Sequence, residues 1–61
     1  MQGLSEKELS GINDMLAAEG LLIKKFQLLA DMASDPDIRK HLGDIVAIHQ
    51  SHFNQIYDQL S

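Results

Sequence analysis

Three residues whose side chains bind metals or form strong hydrogen bonds, Glu19, His49 and His52, lie among apolar residues of the 61-residue sequence. His49 and His52 are spaced i, i+3, so both imidazoles project from one face of a helix. A carboxylate from a neighbouring helix can join two such imidazoles around a zinc, iron or manganese ion. Without a metal, the carboxylate can accept hydrogen bonds from the imidazoles and form a polar layer that fixes the helix register. Both interpretations require two helices that lie side by side.

The first of these helices is predicted over about 5–33. Ser5 and Glu8 have the spacing of a capping box, which marks the start of a helix. Glu19 stands in the middle of an apolar stripe with helical spacing. The other members of the stripe are Leu9, Ile12, Leu16, Ile23, Phe26, Ala30 and Ala33. The stripe predicts that one face of helix 1 packs against a neighbour.

The second helix is predicted over about 36–60. Asp35 followed by Pro36 is typical of a helix start, because aspartate caps the first amides and proline fits the first turn. Ser34 is an alternative cap. The two histidines occupy two positions of an apolar stripe on this helix. The other members of this stripe are Ile38, Leu42, Ile45, Ile56 and Leu60, flanked by Val46 and Phe53.

The short connection predicts an all-α fold, an antiparallel two-helix hairpin that forms a single domain over 1–61. Glu19 lies roughly 15 residues before the turn and the histidines lie roughly 15 to 18 after it, so all three share one level at about 1.5 Å per residue. On the helical wheels Glu19 and His49 lie near the centres of their apolar arcs, with His52 about 60° to one side. We therefore expect all three to be buried.

The apolar arc of helix 1 spans roughly 160°, which is wider than the seam of a two-helix hairpin. Two hairpins related by a two-fold axis would bury it, so we predict a homodimer that forms a ferritin-like four-helix bundle. Three further apolar residues point to the back of helix 1 and are a candidate surface for other proteins: Leu21, Leu28 and Met32.

Composition excludes several classes of function. The formal charge of −4 and the pI near 5.0 oppose binding to nucleic acid or to an anionic membrane surface. The chain has no cysteine, and it shows no glycine-rich phosphate loop and no serine elbow, so we predict no catalytic residues and no enzyme activity. The N-terminal residues lack the basic start and apolar run of a leader. These features predict a soluble cytoplasmic protein.

Three segments, 4–9, 14–19 and 49–56, resemble the spore coat F family, and the resemblance extends over residues 4–60. It implies an endospore-forming bacterium as the source, a helical hairpin classed as ferritin-like, and a structural role in or around the spore coat. It does not imply a known enzyme activity. By the same resemblance, the glutamate and the two histidines are candidate remnants of a ferritin-like metal centre.

Two main functions follow as hypotheses. The first is a structural or assembly protein, in which the dimeric bundle is a building block and the Glu/His cluster sets its geometry. The second is a small ferritin-like metal-binding protein with a storage or oxidant-scavenging role. A di-iron oxidase is disfavoured, because His49 stands where such bundles place a bridging carboxylate. A third hypothesis makes the back of helix 1 a surface that binds a regulatory partner.

Overall fold

A computed structural model describes residues 3–60 and shows two α-helices that fold back on each other. Helix α1 spans Glu6–Met32, helix α2 spans Pro36–Tyr57, and a short 3₁₀ helix follows over Asp58–Leu60. The prediction of an all-α two-helix hairpin is therefore confirmed. The outermost ends of the predicted domain, residues 1, 2 and 61, lie outside the described residues.

Both helices begin at the residues whose side chains can cap them. The Ser5 hydroxyl accepts a hydrogen bond from the Glu8 amide at 3.1 Å, and the Glu8 carboxylate accepts one from the Ser5 amide at 3.1 Å. These two bonds form the predicted capping box. At α2 the cap is Asp35 rather than the alternative serine, and its carboxylate accepts from two amides of the first turn.

Helix α2 ends at Tyr57, a few residues earlier than predicted. The amide of Asp58 donates to the carbonyls of Asn54 and Ile56, and the chain continues as a 3₁₀ turn to Leu60. A tighter last turn provides partners for carbonyl groups that the end of an α-helix leaves unsatisfied.

The turn between the helices is fastened by one arginine. Ala33 ends α1 with an extended backbone, and its amide donates to the Ala30 carbonyl at 3.2 Å. The Arg39 guanidinium, in the first turns of α2, donates to the Ala33 carbonyl through Nε at 3.2 Å and through Nη2 at 2.6 Å. One side chain thus ties the end of α1 to the start of α2.

The hairpin has little interior of its own. Among residues 3–60, only Ala30 is buried, and most of the two predicted stripes is half-buried between the helices. Two stripe residues are more exposed than predicted, Leu9 at 40% and Ile38 at 54%, because each lies near one end of the hairpin. The back of α1 is exposed as expected, with Leu21 and Met32 about 70% accessible.

Two broad faces flank the seam where the helices meet, and helical geometry assigns the side chains to them. We call one of them the open face. On each helix, three residues spaced seven positions apart lie on this face, and each residue of α1 stands opposite one of α2. We call these three pairs rungs. The rungs are Met15 with His52, Leu22 with Ile45, and Leu29 with Ile38.

The opposite face, which we call the groove face, contains a shallow groove of about 220 Å³. Residues from both helices line it: Gly20, Ile23, Lys24, Gln50 and Phe53. Tyr57 extends this surface, since its ring stacks on that of Phe53 with centroids 6.2 Å apart.

Candidate metal or hydrogen-bonding site

The structure brings Glu19, His49 and His52 together at one level of the hairpin. The Glu19 side chain extends from the midpoint of α1, which has thirteen helical residues on either side of it. One of its carboxylate oxygens lies 2.7 Å from His49 Nδ1, and the other lies 3.8 Å from His52 Nδ1. The predicted match in level between the two helices is therefore observed.

The contact between Glu19 and His49 is a short hydrogen bond across the seam. A carboxylate only accepts, so His49 Nδ1 carries the proton and donates it. The two side chains are about one-fifth exposed, at 19% for Glu19 and 23% for His49. Partial removal from water strengthens such a charge-assisted bond relative to one at the surface.

Phe26 holds the His49 ring in place from α1. The two rings are nearly parallel, with an interplanar angle of 3° and centroids 5.9 Å apart, which is an offset stack. Phe26 follows Glu19 by seven residues, so the two turns of helix between them bring both residues to the same face. His49 thus has an acceptor for its Nδ1 proton and an aromatic neighbour, both supplied by α1.

None of the three residues is fully buried as predicted, since Glu19 and His49 are half-buried, and His52 departs furthest from the prediction. Its side chain is 50% exposed, and 3.8 Å from a carboxylate oxygen is too long for a hydrogen bond. Its ring stands edge-on to that of His49, with centroids 5.8 Å apart and an interplanar angle of 86°. The reason is its wheel position, because a residue about 60° from the centre of the seam lies at the edge of the open face.

The donor set fits a divalent metal. One ligand atom from each of the three residues lies within 4.8 Å of the other two. Neighbouring ligands around a tetrahedral zinc ion are about 3.3 Å apart, so side-chain adjustments of about 1 Å would place them correctly. Binding through His49 Nδ1 would replace the proton now shared with Glu19, and metal uptake would release it. Three protein ligands leave the fourth position of a tetrahedral ion open.

The sequence indicated some neighbours of this site and gave no signal for others. His41, the third histidine of the chain, lies near the start of α2 and is exposed. The stacking of Phe26 on His49 was not predicted, although the seven-residue spacing from Glu19 was a usable signal. The groove on the opposite face has no equivalent signal, because its shape depends on how closely the two helices pack.

Comparison of the chain with models of protein families, with curated proteins and with solved structures finds no match. The resemblance to the spore coat F family therefore stays a prediction. Within residues 3–60, no helix combines the length and the apolarity that crossing a membrane requires.

Proposed function

We propose that this chain is a structural building block that works as a homodimer, in which two hairpins form a four-helix bundle of ferritin-like architecture. The observation that carries the proposal is the lack of an interior in the single hairpin, where Ala30 alone among residues 3–60 is buried. A chain of about 60 residues needs oligomerisation, metals or disulfides when its own core is this small. Cysteine is absent, so a second copy is the simplest source of a core.

The role of the Glu/His cluster in this building block is to fix the register of the two helices. A charge-assisted hydrogen bond between Glu19 and His49 forms only when the helices are aligned at the observed level. A slip of one turn would leave a half-buried carboxylate without its partner, at a cost of about 1–3 kcal/mol. The resemblance to the spore coat F family supports a place for such a unit in a spore coat.

Sedimentation equilibrium combined with urea unfolding tests the structural proposal. The expected result is a dimer in the presence of EDTA, with an unfolding midpoint that rises with protein concentration. A folded monomer with a midpoint independent of concentration would refute it. If the source forms endospores, a tagged chain is expected in the coat fraction of purified spores.

A second candidate function, metal binding, is favoured by the convergence of the three ligand atoms within 4.8 Å. Iron, zinc and manganese all accept imidazole and carboxylate ligands, and storage or oxidant scavenging would use this property. Titration calorimetry with each ion tests it. Glu19→Ala and His52→Ala are expected to abolish uptake, whereas His41→Ala, which removes an imidazole outside the cluster, should leave it unchanged.

The exposed back of α1 is a candidate surface for higher assembly or for coat proteins and other partners. Leu28 is 59% exposed there, between two other accessible apolar residues, Leu21 and Met32. Leu28→Lys is expected to block assembly beyond the dimer, or partner capture, and to leave the dimer intact. Unchanged assembly in light scattering and an unchanged pull-down would refute this role.

A further inference from the structure

We infer that the second copy of the chain seats on the open face and that it completes the metal site of the first, so that metal binding and dimerisation are linked. This inference rests on the proposed function, because it takes the homodimer and the metal-binding cluster as its two components. It adds the face through which the copies meet and the coupling between the two events.

Four of the apolar residues that the hairpin leaves accessible lie on the open face, the same face that carries His52. Met15 is 49% exposed, Leu29 41% and Ile38 54%, and all three belong to rungs of the open face. Ile48, at the same edge of α2, is 55% exposed. A continuous apolar face with heptad spacing on both helices is the pattern that packs against another pair of helices.

The hairpin is large enough for a stable dimer interface. The Cα atoms span 47 × 14 × 10 Å, so the outline of either broad side is on the order of 650 Å². Two copies would therefore bury about 1,300 Å² in total, which falls within the range of specific protein interfaces. The complementary partner for such a face is an identical face turned by a two-fold axis.

His52 connects the interface to the cluster. It forms a rung of the open face with Met15. Its side chain is half-exposed, whereas those of the other two cluster residues are about one-fifth exposed. A second copy on this face would cover the imidazole, which then needs a partner for its ring nitrogens. A metal ion held together with Glu19 provides that partner.

In the dimer, the Glu/His clusters of the two copies lie at the same level, because of where the cluster lies along the hairpin. Glu19 lies at the midpoint of α1. A two-fold axis in the interface plane and parallel to the helices keeps both clusters at one level. An axis in the same plane but perpendicular to the helices does so too, because the cluster lies at mid-length. Either symmetric arrangement places the His52 side chains of the two copies on facing surfaces. A ligand from the second copy can then occupy the coordination position that three residues leave open.

Thermodynamic linkage makes the inference measurable. A metal that binds better to the dimer must tighten the dimer by the same factor for each ion bound. The probe is Zn²⁺ alone, compared with EDTA, and the dimer dissociation constant is measured by sedimentation velocity over a dilution series. We expect zinc to tighten the dimer at least tenfold. In dilute protein, where the chain is monomeric, the zinc affinity should fall correspondingly.

Two matched variants isolate the residue that carries the coupling. His52→Ala should form the dimer in EDTA as the unmodified chain does, but zinc should no longer tighten it. His41→Ala removes an imidazole on the same side of α2 but about three turns away from His52, and should keep the tightening of the dimer by zinc. Circular dichroism verifies that both variants are helical, and His52→Gln serves as a second variant if the alanine substitution impairs folding.

The outcomes separate this inference from the proposed function. A dimer in EDTA together with zinc binding of equal affinity at all protein concentrations would overturn the coupling and leave both proposed functions standing. Absence of a dimer in both conditions would overturn the structural proposal and the coupling. A dimer that binds no zinc would overturn the metal candidate and the coupling, and would leave the building block.

Discussion

The open face and the groove face belong to the same two helices, yet they differ in what they leave exposed. The open face carries accessible methionine, leucine and isoleucine side chains around one imidazole. The groove face has a shallow groove, where the polar side chains of Lys24 and Gln50 lie beside the apolar side chains of Ile23 and Phe53. In the proposed dimer, a rotation of about 100°, which is a single residue step on each helix, separates the association surface from a surface that stays in water.

Neighbouring residues on α2 offer the strongest test of this difference. Ile45 belongs to the open face and Val46, one step further on, to the groove face, and both are half-buried in the hairpin. Ile45→Lys should weaken the dimer roughly 100-fold, about 3 kcal/mol, because a two-fold axis buries the new charge twice. Sedimentation velocity in EDTA measures the dissociation constant.

Val46→Lys is the matched control, since it removes a similar amount of packing within the hairpin. It should lower the urea midpoint of the chain but keep the dimer. The reverse pattern, a monomeric Val46→Lys and a dimeric Ile45→Lys, would show that the groove face is the association surface.

The two histidines of the cluster should differ in their contributions to stability without metal. His49→Ala removes a hydrogen bond to a half-buried carboxylate and a ring stacked on Phe26, so it should lower the unfolding free energy by about 2 kcal/mol. His52→Ala removes a half-exposed ring without a hydrogen bond in the described structure, and should lower it by less than about 0.5 kcal/mol. Urea unfolding in EDTA measures both values. Equal losses would mean that His52 already has a strong partner within the hairpin.

Gly20 tests whether the groove stays open in the assembled protein. A Cβ built at this position meets no atom within 4 Å, so Gly20→Ala should stabilise the helix by about 1 kcal/mol through its better helix propensity. Thermal unfolding should show a higher midpoint. A lower midpoint, or a weaker dimer, would indicate that a second copy fills the groove and that the contrast between the faces is wrong.

The smallest expected effect concerns the capping box, which belongs to neither face. The amide of Ser5, followed by its hydroxyl, holds the pKa of the Glu8 carboxyl below its ordinary value. The stabilisation that the ionised Glu8 carboxylate contributes is therefore complete near neutral pH, and it is lost as the pH falls through the lowered pKa. The stability difference between the unmodified chain and Glu8→Gln should shrink on acidification from pH 7 to pH 3.

Glu6→Gln is the matched variant for this prediction, because it removes the same charge from the same helical turn without breaking the capping box. Urea midpoints across the pH series should respond less to this change than to Glu8→Gln. Neither variant should alter the dimer dissociation constant. An effect on dimerisation would mean that the association surface extends to the start of α1.

Much of the fold could be predicted because its signals are local. The capping box of Ser5 with Glu8, and Asp35 before Pro36, each depend on residues within a few positions of one another. The level shared by Glu19 and His49 followed from the constant rise of two helices joined by a short turn. Once the turn is placed, positions along both helices are fixed.

The parts that could not be predicted depend on packing. The helical wheel places His52 about 60° from the centre of the seam. A side chain at that angle is buried only if another element or a second copy covers the open face. The link from Arg39 to the Ala33 carbonyl arises because the turn brings the two together in space. A single hairpin has no third element, so residues at the edge of its stripes remain accessible.

The arginine at the turn also has a consequence for how the chain folds. Arg39 and Ala33 are six residues apart, whereas Glu19 and His49 are thirty apart, so the loop closed by the first contact loses far less entropy. Folding should begin at the turn and proceed toward the open end, with the helices zipping together one rung after another. Pulsed hydrogen exchange would then protect amides near the turn first, and the Glu/His cluster would assemble only after half of the hairpin is in place.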